Sequence, residues 1–136
     1  MGTFINIGNA GFKSILKHDY IDKLGLISIV NDTLFSEWRF SCVMRCRRFG
    51  KSMAAKMLWA YYDHSCDSRN LFTDQEISNV PSFEEHLNKY AVLNLDMTEF
   101  VTRFHNDDIL GKIDSALKDD VLGTLHNIQR TNIPNL

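Results

Sequence analysis

Phe40-Ser-Cys-Val-Met-Arg45-Cys-Arg-Arg-Phe-Gly50-Lys51-Ser52, running on into Met53-Ala54-Ala55, is the stretch whose reading decides the fold. Apolar residues lead into a tight basic segment, and Gly-Lys-Ser then opens a helix-like run. That is the layout of a phosphate-binding loop, where backbone N–H groups at a helix start, a lysine and a hydroxyl converge on phosphate and Mg²⁺. In this layout Lys51 reaches the β- and γ-phosphates of ATP and the Ser52 hydroxyl binds Mg²⁺. Gly50 lets the backbone approach phosphate with no Cβ in the way. The strict pattern G-x-x-x-x-G-K-[ST] puts glycine at position 45, where this chain has Arg45. Spacing alone therefore also fits a basic strand-to-helix turn that binds nothing.

Working outward, Trp38 to Met44 is short and apolar and reads as a buried strand. After the loop, Ala54, Met57, Leu58, Tyr61 and Tyr62 share one helical face. Tyr90-Ala-Val92-Leu93-Asn94-Leu95-Asp96 reads as a second strand ending in an acid, with Asp96 placed to hold Mg²⁺ alongside Ser52. Strand, loop, helix and strand predict an α/β fold: a small or incomplete P-loop-like domain of two to three parallel strands flanked by helices. Upstream, Phe12, Ile15 and Leu16 mark a short helix capped by Asn9, and a second helix is expected over 23–34. Short helices are expected at 74–77 and, after Pro81-Ser82, at 83–88; residues 97–106 read as loop with a short turn. Ile109, Leu110, Ile113, Leu117, Val121, Leu122, Leu125 and Ile128 form a helical stripe, read as core or as a face for a protein partner. A polar tail closes the chain.

The 136 residues read as a single domain, 1–136, long enough for a real core. A net charge of −2 argues against a protein that wraps nucleic acid broadly, so such a role rests on the cluster Arg45, Arg47, Arg48 and Lys51 alone. Phe49 is the one aromatic inside that cluster, which ranks nucleic acid below nucleotide as its ligand. Cys42, Cys46 and Cys66 are odd in number and form no C-x-x-C pair, so reduced thiols are expected, Cys42 in the buried strand and Cys46 in the loop. The five histidines are scattered without ligand spacing. Glu84-Glu85, Asp107-Asp108 and Asp119-Asp120 read as solvated helix faces or helix starts. No apolar run approaches the roughly 20 residues of a membrane span. With polar residues among the first nine and no signal-peptide core, the expectation is a cytoplasmic protein without a membrane role.

Arg45-Cys-Arg47-Arg48-Phe49-Gly50-Lys51-Ser52 resembles the R-P-R-R-F-G-K-S/T loop of the AAA-ATPase-like family of predicted bacterial P-loop proteins. In that family arginine stands where the first glycine usually does, so the resemblance makes Arg45 the expected residue. Tyr20-Ile21-Asp22-Lys23 resembles the family's Y-V-D-K-T element, and Val92 to Asp96 resembles its Walker B strand. Together the three stretches cover roughly residues 11–100. Departures are Cys46 in place of proline, Leu24 in place of threonine, and Met97 where a glutamate commonly follows the Walker B acid. Family members are several times longer, and many carry a PD-(D/E)XK-type nuclease region that has no counterpart here. The resemblance implies ATP binding with Mg²⁺ through Gly50, Lys51, Ser52, Arg45, Arg47 and Arg48, with Ser52 and Asp96 on the metal. No catalytic residue is assigned, so binding is expected ahead of ATPase activity. The alternative is a small non-enzymatic interaction or inhibitor protein, of the kind a mobile element encodes, derived from a truncated P-loop ATPase.

Overall fold

The computed structural model describes residues 4–18, 21, 23–73, 76–104 and 108–131, apart from the side chains of 76–77 and 125–131. Regular structure among them is helical. The chain divides into two compact units, Gly8–Val92 and, separately, Met1–Ile7 with Leu93–Leu136. The first holds α1 (Ala10–Ile15), α2 (Gly25–Thr33), α3 (Lys51–Tyr62), α4 (Arg69–Phe72), a 3-10 turn (Glu76–Asn79) and α5 (Ser82–His86). The second holds α6 (Met97–Arg103) and α7 (Ile109–Thr131).

The expected α/β fold with two to three parallel strands is overturned. No sheet exists among the described residues; the only β-pairings are two isolated bridges, Asp63 with Tyr90 and Ile5 with Leu93. Residues 39–46 run without regular structure, and Trp38, Phe40 and Met44 are 80%, 83% and 85% exposed. The reason is that a strand is defined by pairing as well as composition: a backbone without a neighbouring ladder leaves its N–H and C=O groups to water. The two apolar runs find no such ladder. Tyr90 meets the end of α3, and Leu93 meets Ile5 in the other unit.

The core of the first unit is built on α3. Met57, Ala60 and Tyr61 sit at three- and four-residue steps and are fully buried, so one face of the helix turns inward. Phe12 of α1, Ile27 of α2, Phe72 of α4 and Phe83 of α5 close over that face. Tyr61 is the hub. Its ring lies 5.7 Å from Phe72, edge on, and 5.5 Å from Phe83. Its hydroxyl donates to the Phe83 carbonyl at 2.8 Å and accepts from Asn31 Nδ2 at 3.1 Å. Tyr62 Oη donates to the other end of the same amide, Asn31 Oδ1, at 2.6 Å. Burial, reinforced by Tyr61 and Tyr90, pushes the Tyr62 phenol well above its usual range.

Where α3 ends, a buried carboxylate closes the unit. Asp63 is fully buried, and its Oδ2 and Oδ1 accept from Gly8 N and Ser65 N, each at 2.7 Å. Asn88 Nδ2 donates to the Asp63 and Ala60 carbonyls at 2.6 and 3.2 Å. Asn9 stands at the α1 N-cap as expected, yet its side chain does not cap. It donates instead to Asp67 O at 3.0 Å and Ser68 Oγ at 2.9 Å. Asp63→Asn keeps the volume but turns one acceptor into a donor facing a backbone N–H. It is expected to cost about 1–3 kcal/mol in urea unfolding, the penalty for one unsatisfied buried group.

In the second unit, Asp96 is the N-cap of α6, its side chain accepting from Thr98 N and Glu99 N. Helix α6 replaces the loop expected over 97–106, of which 105–107 lie outside the described residues. Phe4 packs on Phe100 at 5.5 Å, and Phe4 N and Ile5 N both donate to Asp120 Oδ2 at 2.9 Å. The α7 stripe does not form a buried core over the residues whose side chains are described: Ile109, Ile113 and Leu117 are half-buried, while Leu110, Val121 and Leu122 are exposed. No helix among the described residues is long and apolar enough to cross a membrane.

Candidate functional site: the basic loop at the start of helix α3

The loop ends in two left-handed residues. Arg48 has φ 65° and Gly50 φ 77°, with Gly50 serving as the N-cap of α3. The positive φ calls for glycine here, and a Cβ at Gly50 would also displace the end of the Lys23 side chain, whose Cε would lie 2.9 Å away. No side chain caps the helix, and its first turn contains no acid. The α-helical pattern gives the amides of that first turn no intrahelical acceptor, and the helix dipole adds partial positive charge.

Cations surround this helix start. Arg45, Arg47, Arg48 and Lys51 are all exposed, and none takes part in the ion pairs among the described residues. The Lys51 ammonium folds back over the loop and donates to the Arg45 carbonyl, and to the Cys46 carbonyl at 3.3 Å. It thereby ties the beginning of the loop to its end. The Ser52 side chain is exposed beside it. A cavity of about 390 Å³ lies here, lined by the run from Arg47 to Met53. Its lining offers backbone N–H groups, cationic side chains and a hydroxyl.

The structure brings Gly50, Lys51, Ser52, Arg47 and Arg48 of the sequence prediction around that one cavity. Arg45 and Lys51 share the lining of an adjoining cavity of about 380 Å³, to which Lys23 also contributes. Asp96 belongs to the other unit, where it caps α6. Lys23 was legible only as part of the upstream element. Of that element, Tyr20 and Asp22 lie outside the described residues, while Ile21 and Lys23 lie against the loop. Sequence reasoning gave Ile21, Phe49 and Met53 no binding role, although they adjoin the same loop. Among the described residues, no three His, Cys, Asp or Glu side chains gather as a metal site.

A family model described as a predicted AAA-ATPase matches residues 6–130. The chain belongs to that family. The match takes in the basic loop, the Ile21–Lys23 element and most of the second unit of this AAA-ATPase-like protein. No curated protein and no solved structure matches it.

The three thiols of the AAA-ATPase-like chain differ in access. Cys42 is exposed, against its expected place in a buried strand, because the strand itself does not form. Cys46 is exposed in the loop. Cys66 is half-buried, and its thiol donates to the Asp63 carbonyl at 3.6 Å. Burial pushes the Cys66 thiol up, against the hydrogen bond with Ser68 that lowers it. A raised pKa leaves less thiolate at a given pH, and thiolate is the reactive form. Iodoacetamide at pH 8 is therefore expected to label Cys42 and Cys46 well before Cys66. Peptide mass mapping over time checks the order, and equal rates at all three would contradict it.

Proposed function

We propose that this chain binds a nucleoside triphosphate, ATP, with Mg²⁺, through the loop from Arg45 to Ser52. One observation carries the reading: four exposed cations converge on the positive end of a helix that has neither an acid nor a capping side chain in its first turn. Like charges crowded onto a helix dipole of the same sign repel one another, and a polyanion is the ligand that relieves them. The left-handed Gly50 at the N-cap of α3 supports phosphate binding by the backbone N–H groups of the helix start.

Within this proposal Lys51 exchanges its two loop carbonyls for phosphate oxygens. Arg47 and Arg48 hold the outer phosphate charge, and Arg45 steers the anion into the loop. The Ser52 hydroxyl is the proposed Mg²⁺ ligand; the metal supplies neutralisation of phosphate charge when bound. The reading is of binding, and no residue is assigned to orient an attacking water.

A second reading is supported by the exposed apolar row at Trp38, Phe40, Val43 and Met44, and by Leu110 and Leu122 on α7. Within each unit, exposed apolar side chains of this kind mark a candidate interaction site. In that reading the chain acts on a macromolecular partner and the loop no longer serves a nucleotide. Thermal unfolding with and without Mg-ATP separates the two. Nucleotide binding is expected to raise the melting temperature with ligand concentration, by about 2.7 kcal/mol of stability at 100 times Kd. An unchanged melting temperature in millimolar Mg-ATP favours the second reading.

A further inference from the structure

Beside the anion site lies a second cavity of about 350 Å³, and its lining is mostly apolar. Ile21, Phe49 and Met53 line it together with the side chains of Lys23, Arg47 and Arg48. Its volume falls in the roughly 300–1,000 Å³ range of small-molecule sites. Arg47, Arg48, Phe49, Gly50 and Met53 line both this cavity and the one that takes Lys51 and Ser52, so the two adjoin through a shared wall. Phe49 is 62% exposed and Ile21 75% exposed. A lone exposed aromatic is ordinary. Three apolar side chains around one cavity, continuous with a cationic loop, instead suit a ligand with an anionic end and a flat apolar end.

The geometry points to this cavity as the nucleobase site, with Phe49 and Ile21 as the residues on which the base packs and Met53 as its floor. The inference rests on the nucleotide reading above and adds to it the residues that distinguish a nucleotide from a bare polyphosphate. Base stacking on an aromatic face is tolerant of base identity, so the site selects for a base ahead of selecting among bases. Met53 adds a polarizable thioether that adapts to the edge of a ring. The inference also gives the upstream element a role: Ile21 and Lys23 complete a pocket that the loop alone leaves open on one side.

Calorimetric titration of the full chain with Mg-ATP and, separately, with magnesium tripolyphosphate tests this. The parent is expected to bind ATP about tenfold more tightly than the inorganic triphosphate. In Phe49→Ala and in Ile21→Ser that preference is expected to fall to a few-fold or less, while Phe49→Trp retains it. Both positions are exposed, so unchanged melting temperatures are expected to show that the variants fold. Equal affinity of the parent for the two ligands would overturn the base site and leave the phosphate site standing. A preference that survives both Phe49→Ala and Ile21→Ser would place the base elsewhere and overturn it too. Binding of neither ligand would sink the nucleotide reading, and this inference with it.

Discussion

Lys51→Ala is expected to weaken Mg-ATP binding by about tenfold or more while leaving the melting temperature unchanged or slightly raised. The two effects have opposite origins. Removing the ammonium deletes a charge-assisted contact to phosphate, and a loss of about 1.4 kcal/mol already amounts to tenfold. For the folded protein without nucleotide, Lys51 is a burden. It opens α3, where a cation opposes the helix dipole by about 0.3–1 kcal/mol, and alanine is the better helix former. Against this stand its hydrogen bonds to the Arg45 and Cys46 carbonyls, made by an exposed side chain in competition with water. A residue that helps the ligand and does not help the fold is the signature expected of a binding lysine. A drop in stability of several kcal/mol in Lys51→Ala, with affinity retained, would make it a structural clasp of the loop instead.

Tyr61→Ala is expected to be the most damaging single substitution in the first unit, at about 3–5 kcal/mol or more. The ring is fully buried among Phe72, Phe83 and Tyr62, and truncation leaves a cavity that four short helices must collapse around. The hydroxyl adds to the cost, because its loss removes one partner each from the Phe83 carbonyl and Asn31 Nδ2. A unit of this size has only about 5–15 kcal/mol in hand, so the variant should unfold near physiological temperature. Tyr61→Phe separates the two contributions: it keeps the ring and is expected to lose only about 1–2 kcal/mol. Chemical denaturation of the three proteins gives the ranking. Equal losses for Phe and Ala would show that the ring packing contributes little.

The helices were legible because their signal is local. The steps of Met57, Tyr61 and their neighbours, the apolar face of 23–34 and the stripe from Ile109 each repeat at the helical period, and helices stand at all three places. The strands were misread because their signal is not local. Trp38 to Met44 has the composition of a buried strand, but what makes a strand is a partner backbone, and composition says nothing about whether one is there. Helix α6 was missed for a related reason. Asp96-Met97-Thr98-Glu99 carries the start signal of a capped helix, acid at the N-cap and glutamate three residues on, and the acid was assigned to a metal instead.

The candidate site shows the same division. Gly50, Lys51 and Ser52 are contiguous, and their arrangement at a helix start follows from the residues themselves. The approach of Ile21 and Lys23, more than twenty residues upstream of the loop, follows from the packing of the chain between, which no spacing in the sequence encodes. Phe49 was visible as the loop's only aromatic, but its place on a shared wall between two cavities required the folded chain. In Asn9 even a correct position concealed a different role, since its side chain reaches across to Asp67 and Ser68 and does not cap its own helix.

The central claim is that the loop from Arg45 to Ser52 holds a nucleoside triphosphate, and calorimetric titration of the folded chain with Mg-ATP tests it most directly. One nucleotide per chain is expected, with binding that weakens as salt screens the Arg45, Arg47, Arg48 and Lys51 charges. Absence of binding at millimolar Mg-ATP, by a chain shown to be folded by its cooperative melting, would contradict the claim.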